Sequence, residues 1–150
     1  MNVKRNIDFS KELDFVDYVV DKTFPVDEKG RYYVAGAKDF WFKVAIVEFF
    51  TDEDIIGECE ADINKIADKL YEPNFINDIV KVIDKTQMKR IKANVDEMIS
   101  FHKEKLIHDI GVKEFLKVFS ATLENATKGV ENAFSEMLPI KESDVVVEPE

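Results

Sequence analysis

Ala37-Lys38-Asp39-Phe40-Trp41-Phe42-Lys43-Val44-Ala45-Ile46-Val47-Glu48-Phe49-Phe50 is the stretch on which the fold turns. Nine of its side chains, at 40, 41, 42, 44, 45, 46, 47, 49 and 50, are apolar, and at helical spacing they fall nearly all round the axis. A helix that is apolar on all sides must be covered on all sides. The stretch therefore reads as a central helix, buried by the rest of its domain or by a partner. Gly36 precedes it, and Thr51 to Asp54 after it form a capping cluster for a further short segment.

On the N-terminal side, Leu13, Val16, Val19, Val20 and Phe24 recur at three- and four-residue steps, which predicts a helix from Asp8 or Ser10 to about Lys22. Pro25 stops it. Residues 1–9 have no helical period and read as a short strand or an extended arm. Asp27-Glu28-Lys29-Gly30 reads as a turn with Gly30 supplying a positive φ, and Arg31 to Val34 as a connection or a short strand. A minor β-hairpin near Val3–Phe9 and Arg31–Val34 is the alternative this leaves open.

On the C-terminal side, Ile63, Ile66, Ala67 and Leu70 share a face of a helix from about Ala61 to Tyr71, ended by Pro73. From Asn74 to about His108 apolar residues continue through Ile76, Ile79, Val80 and Ile83, with a break near Lys85-Thr86. They resume at Met88, Ile91, Val95 and Met98 close to a 3.5-residue repeat. Gly111 reads as an interruption. After it Leu116, Phe119, Leu123, Ala126, Val130, Ala133 and Met137 alternate steps of three and four, a narrow seam of about three heptads that Pro139 stops. The expected fold is all-α: four to six helices, the last two a long antiparallel hairpin turning at Gly111. The expected core comprises Phe15, Val19, Phe40, Trp41, Val44, Ile66, Val95, Met98, Phe119 and Leu123. Residues 1–138 read as one domain and 139–150 as an acidic flexible tail.

Composition excludes several function classes. The 150 residues hold 21 Lys and Arg against 31 Asp and Glu, a net charge of -10. Such a chain repels phosphate backbones, so direct nucleic-acid binding is disfavoured. The one cysteine, Cys59, cannot form an internal disulfide and sits between Glu58 and Glu60, whose charges oppose a nucleophilic thiolate. No run approaches the roughly 18 apolar residues of a membrane span. No signal-peptide pattern opens the chain, and a cytoplasmic location is expected, in the host cytoplasm or a virion if the chain is phage-encoded.

Motifs for chemistry fail on spacing. Asp52, Asp54 and Gly57 match positions one, three and six of a calcium loop, but Ile56 and Ile63 occupy positions five and twelve, so the bidentate carboxylate is absent. Helix capping explains the acidic stretch 52–62 more simply. His102 and His108 are six apart, not the four a zinc helix needs. His102 lies near the seam, and His108 near an expected helix C-terminus. Lys85, Lys89, Arg90 and Lys92 are the one basic run and read as a solvated helix face. No catalytic residue, cofactor or metal site is expected.

The segment Ala37 to Asp54, an aromatic-apolar helix followed by Phe49-Phe50-Thr51-Asp52, in a small acidic helical chain resembles uncharacterised proteins of Firmicutes phages and prophages. That resemblance implies a virion component or assembly factor such as a tail or head-tail protein. The expected function is a non-enzymatic protein–protein interaction, with itself or with another virion protein and with neither nucleic acid nor membrane. The expected interface comprises Leu116, Phe119, Leu123, Val130 and Met137 on the seam, with Phe42 and Phe49 on the central helix. Two alternatives stand beside it: an acidic inhibitor of a host nucleic-acid-binding protein, and a small metal protein using residues 52–62.

Overall fold

A computed structural model describes residues 1–127. These form six helices and one two-stranded hairpin, in the order α1 (Phe9–Thr23), β1 (Val26–Asp27), β2 (Gly30–Arg31), α2 (Ala37–Phe50), α3 (Ile55–Glu58), α4 (Ile63–Leu70), α5 (Phe75–Val82) and α6 (Lys85–Thr127). The all-α expectation with a minor hairpin holds. The hairpin, however, pairs Val26 with Arg31 and Asp27 with Gly30. Its turn is tight because Gly30 takes φ +114° and Asp27 Oδ1 accepts the Lys29 N–H at 2.8 Å. The chain divides at Leu106–Ile107 into two units.

In the first unit α2 is central, as its all-round apolarity requires. It packs against α1, α3, α4 and α5, and Val44, Ala45, Ile46, Val47 and Phe50 are buried. Phe15 of α1 is the hub on the facing side, with ring centroids of Phe42, Phe49 and Phe50 at 5.1, 5.5 and 6.2 Å. Such tilted and edge-on pairs add about 0.5–1.5 kcal/mol each beyond their area. Phe40 and Trp41 are only half-buried, at the N-terminal end of α2. There Lys22 Nζ lies 5.0 Å above the Trp41 ring.

The N-terminal residues form neither strand nor helix. They are an extended arm held at four points: Asn2 N donates to Asp52 Oδ1 (2.7 Å), Lys4 N to Phe50 O (2.7 Å), Asp84 N to Arg5 O (2.9 Å), and Gln87 brackets Ile7. The buried Gln87 side chain accepts from Ile7 N (3.0 Å) and donates to Ile7 O (2.7 Å), imitating one rung of a β-ladder.

Two expectations about the first unit need correction. On α1 the buried face includes Glu12, while Leu13 is exposed. Glu12 is tolerated inside because Arg90 of α6 meets it with both arms, Nε to Oε2 at 3.0 Å and Nη2 to Oε1 at 2.8 Å. On α6 the buried positions are Gln87, Ile91, Val95 and Ile99. Four-residue steps carry the core side past Met98, which stays 36% exposed.

The larger correction concerns Gly111. No antiparallel hairpin turns there, because α6 is helical without interruption from Lys85 to Thr127. A single exposed glycine costs a helix only about 1 kcal/mol relative to alanine. Here the neighbours keep helical periodicity and no proline lies between Gly111 and Thr127, so nothing repays a break. Consequently His108 lies within the helix and not at its end, and Phe119, expected in the core, is 52% exposed.

Candidate interaction surface

In the second unit α6 carries large apolar side chains that nothing among the described residues covers. Ile107 is 68% exposed and Phe115 67%, and Ile110, Val112, Leu116, Val118 and Phe119 are all exposed as well. At about 100° per residue, Ile107, Val118, Phe115, Phe119, Val112 and Leu116 fall within one arc of roughly 180°. His108 and Gly111 lie inside that arc; Asp109, Lys113, Glu114 and Lys117 lie opposite, with Ile110 alone among them. Phe115 and Phe119 stack at 6.1 Å with an interplanar angle of 11°, one helical turn apart.

The face is therefore wider than the narrow seam the heptad spacing describes. At ordinary side-chain areas the arc exposes on the order of 600 Å². The largest apolar patch of a monomer is roughly 300–600 Å², and a standard interface takes roughly 800 Å² per partner. Seven-residue spacing continues in the sequence to Met137.

The structure separates the expected interface residues into two groups. Leu116 and Phe119 lie together on the exposed arc. Phe42 and Phe49 belong to the first unit, where both rings pack on Phe15. Leu123, Val130 and Met137, and the acidic tail 139–150, lie outside the residues whose side chains are described.

The acidic stretch 52–62 does not converge on one point. Asp52 takes the Asn2 N–H, Asp54 caps α3 through Gly57 N (2.8 Å), and Asp62 caps α4 through Asn64 N (2.8 Å). Glu58 pairs with Lys69, and Glu60 with Lys65 at 3.5 Å. Among the described residues no three His, Cys, Asp or Glu side chains form a group that could hold a metal ion. His102 packs on Phe24 at 5.5 Å between ring centroids, and Cys59 is buried in the core.

Sequence reasoning missed the breadth of the α6 face because it followed one seam. Ile107, Phe115 and Val118 carry the missing signal, as apolar residues beside the seam and not on it. No helix among the described residues is long and apolar enough to cross a membrane. Comparison with protein-family models, with curated proteins and with solved structures finds no significant match to this chain.

Proposed function

We propose that this chain is a non-enzymatic protein–protein interaction protein that self-associates through the apolar face of α6. The observation that carries this reading is the uncovered arc from Ile107 to Phe119. On the order of 600 Å² of apolar surface is at the top of the range for the largest patch of a monomer, and patches of that size often mark interaction sites. A second copy of the same helix is the occupant best matched to it. The three-and-four spacing interdigitates with itself, and the charged residues sit on the opposite side. An apolar arc of half the circumference suits a bundle of several helices better than a two-stranded coil, whose seam is narrower.

The resemblance of Ala37–Asp54 to small acidic phage proteins supports a narrower setting, a virion component or assembly factor. Genes for portal, capsid or tail proteins beside this one would support that setting, and a neighbourhood of unrelated metabolic genes would count against it.

Light scattering of the full chain tests self-association. We expect a discrete oligomer at micromolar concentration and a monomer for the L116E/F119E variant, with unchanged near-ultraviolet dichroism from the first unit. A wild-type chain that stays monomeric at about 100 μM rejects self-association at the affinities typical of specific assemblies.

A further inference from the structure

We propose that the groove between α5 and the first turns of α6 is a docking site for an acidic amphipathic helix of a protein partner. The groove is a cavity of about 560 Å³ lined from one side by Asn74, Asn77, Val80 and Lys81 and from the other by Lys85, Met88, Lys89 and Lys92, with Ile83 at the corner. Its floor is apolar: Ile83 is buried, Met88 partly so, and Val80 exposed. Its banks are cationic. Lys85, Lys89 and Lys92 stand at i, i+4 and i+7, on one face of α6. Lys81 faces them from α5, its ammonium 3.0 Å from Asp78 Oδ1.

The other charges nearby are engaged elsewhere. Arg90, part of the same basic run, turns to Glu12, and Asp84 caps Gln87 N at 2.9 Å and faces Arg5. Lys85, Lys89 and Lys92 make no ion pair among the described residues. In a chain of net charge -10, this is a local concentration of positive charge around apolar surface.

That chemistry selects the partner. Among the described residues no aromatic side chain lines the groove, so these give it nothing on which to stack a base. No arginine among the described residues lines it either, so these lack the planar fork that grips phosphate. Ammonium groups flanking an apolar floor match carboxylates flanking apolar side chains. The three α6 lysines span about 10 Å, the rise of two helical turns. Glutamates at the same spacing on a partner helix reach them while its leucines meet Val80, Ile83 and Met88, the helix-in-groove mode. The site lies in the first unit and uses none of the α6 residues beyond Leu106, so it stands apart from self-association.

The probe is a labelled fourteen-residue helical peptide with leucines on one face and glutamates flanking them, titrated by fluorescence anisotropy into the full chain. We expect saturable binding that weakens with salt and falls about tenfold or more in K85E/K89E, two surface charges reversed in sign. The lysines are solvent-exposed, so the variant folds, which circular dichroism checks. K85R/K89R retains binding. Amide shifts on peptide addition should map to Lys81–Lys92. Absence of saturable binding, undiminished binding by K85E/K89E, or equal binding of a peptide with lysine in place of glutamate overturns the proposal. So does retention of phosphatidylserine vesicles or a thymidine oligonucleotide in place of the peptide.

Discussion

At the residue scale, Tyr18 and Glu48 show what the crowded α1–α2 layer costs. The Tyr18 hydroxyl is buried with no hydrogen-bond partner among the described residues. Burial, and then the Glu48 charge, push its pKa up to about 12. Glu48 accepts the Ile56 N–H at 3.2 Å, yet burial still raises its carboxyl above the ordinary 4.5, helped by Asp54 and Glu58. A carboxyl whose folded pKa is raised binds its proton more tightly in the folded state. Its contribution to stability therefore falls as pH rises from 4.5 through the folded value. Above that window the charge is a standing cost. E48Q keeps an acceptor for Ile56 without the charge, so it should be more stable than wild type at pH 7, with the gap narrowing toward pH 5. Guanidinium midpoints at the two pH values check this, and a gap that widens on acidification contradicts it.

Ala61 offers a second residue-scale test. It takes φ +59°, next to Glu60 at +55°, where α3 hands over to α4. A Cβ in the left-handed region costs about 1 kcal/mol, which glycine avoids. A61G should raise unfolding stability by about 0.5–1 kcal/mol, and a loss of stability would show that the turn is not strained.

At the element scale, the extended arm depends on one side chain. Gln87 supplies both partners of buried Ile7, across 80 positions of sequence. Q87L leaves a buried N–H and C=O unpaired, at a cost of about 2–4 kcal/mol. Hydrogen exchange of Ile7 should accelerate along with it, and protection that persists in Q87L would place the clamp elsewhere. Nothing in residues 1–9 announces this arrangement, because its partner lies at the start of α6. Periodicity did reveal α1, α4 and α5, since each buries a face whose spacing is local, and α2 was legible from apolar residues all round its axis. It could not show that Glu12 replaces Leu13 inside α1, because that exchange depends on Arg90 arriving from a distant element. It also assigned Gly111 a turn, where helix continuity outweighed one glycine.

At the scale of the whole molecule, two apolar surfaces meet different fates. The all-round helix α2 is covered by this chain's own α1, α3, α4 and α5. The face of α6 from Ile107 to Phe119 is covered by none of the described residues. Heptad spacing made part of that face legible in the sequence. Whether it packed inside the chain or outward depended on whether Gly111 turned the helix back, which composition cannot decide. The unbroken helical course of α6 past Gly111 is what makes self-association the leading account.

The most direct test is hydrogen exchange of the amides from Ile107 to Thr122 as a function of protein concentration. If α6 closes on a second copy, their protection rises with concentration in step with the mass from light scattering, and L116E/F119E abolishes the rise. Exchange in this segment that is the same at about 1 μM and about 100 μM, while the first unit stays protected, would contradict the account.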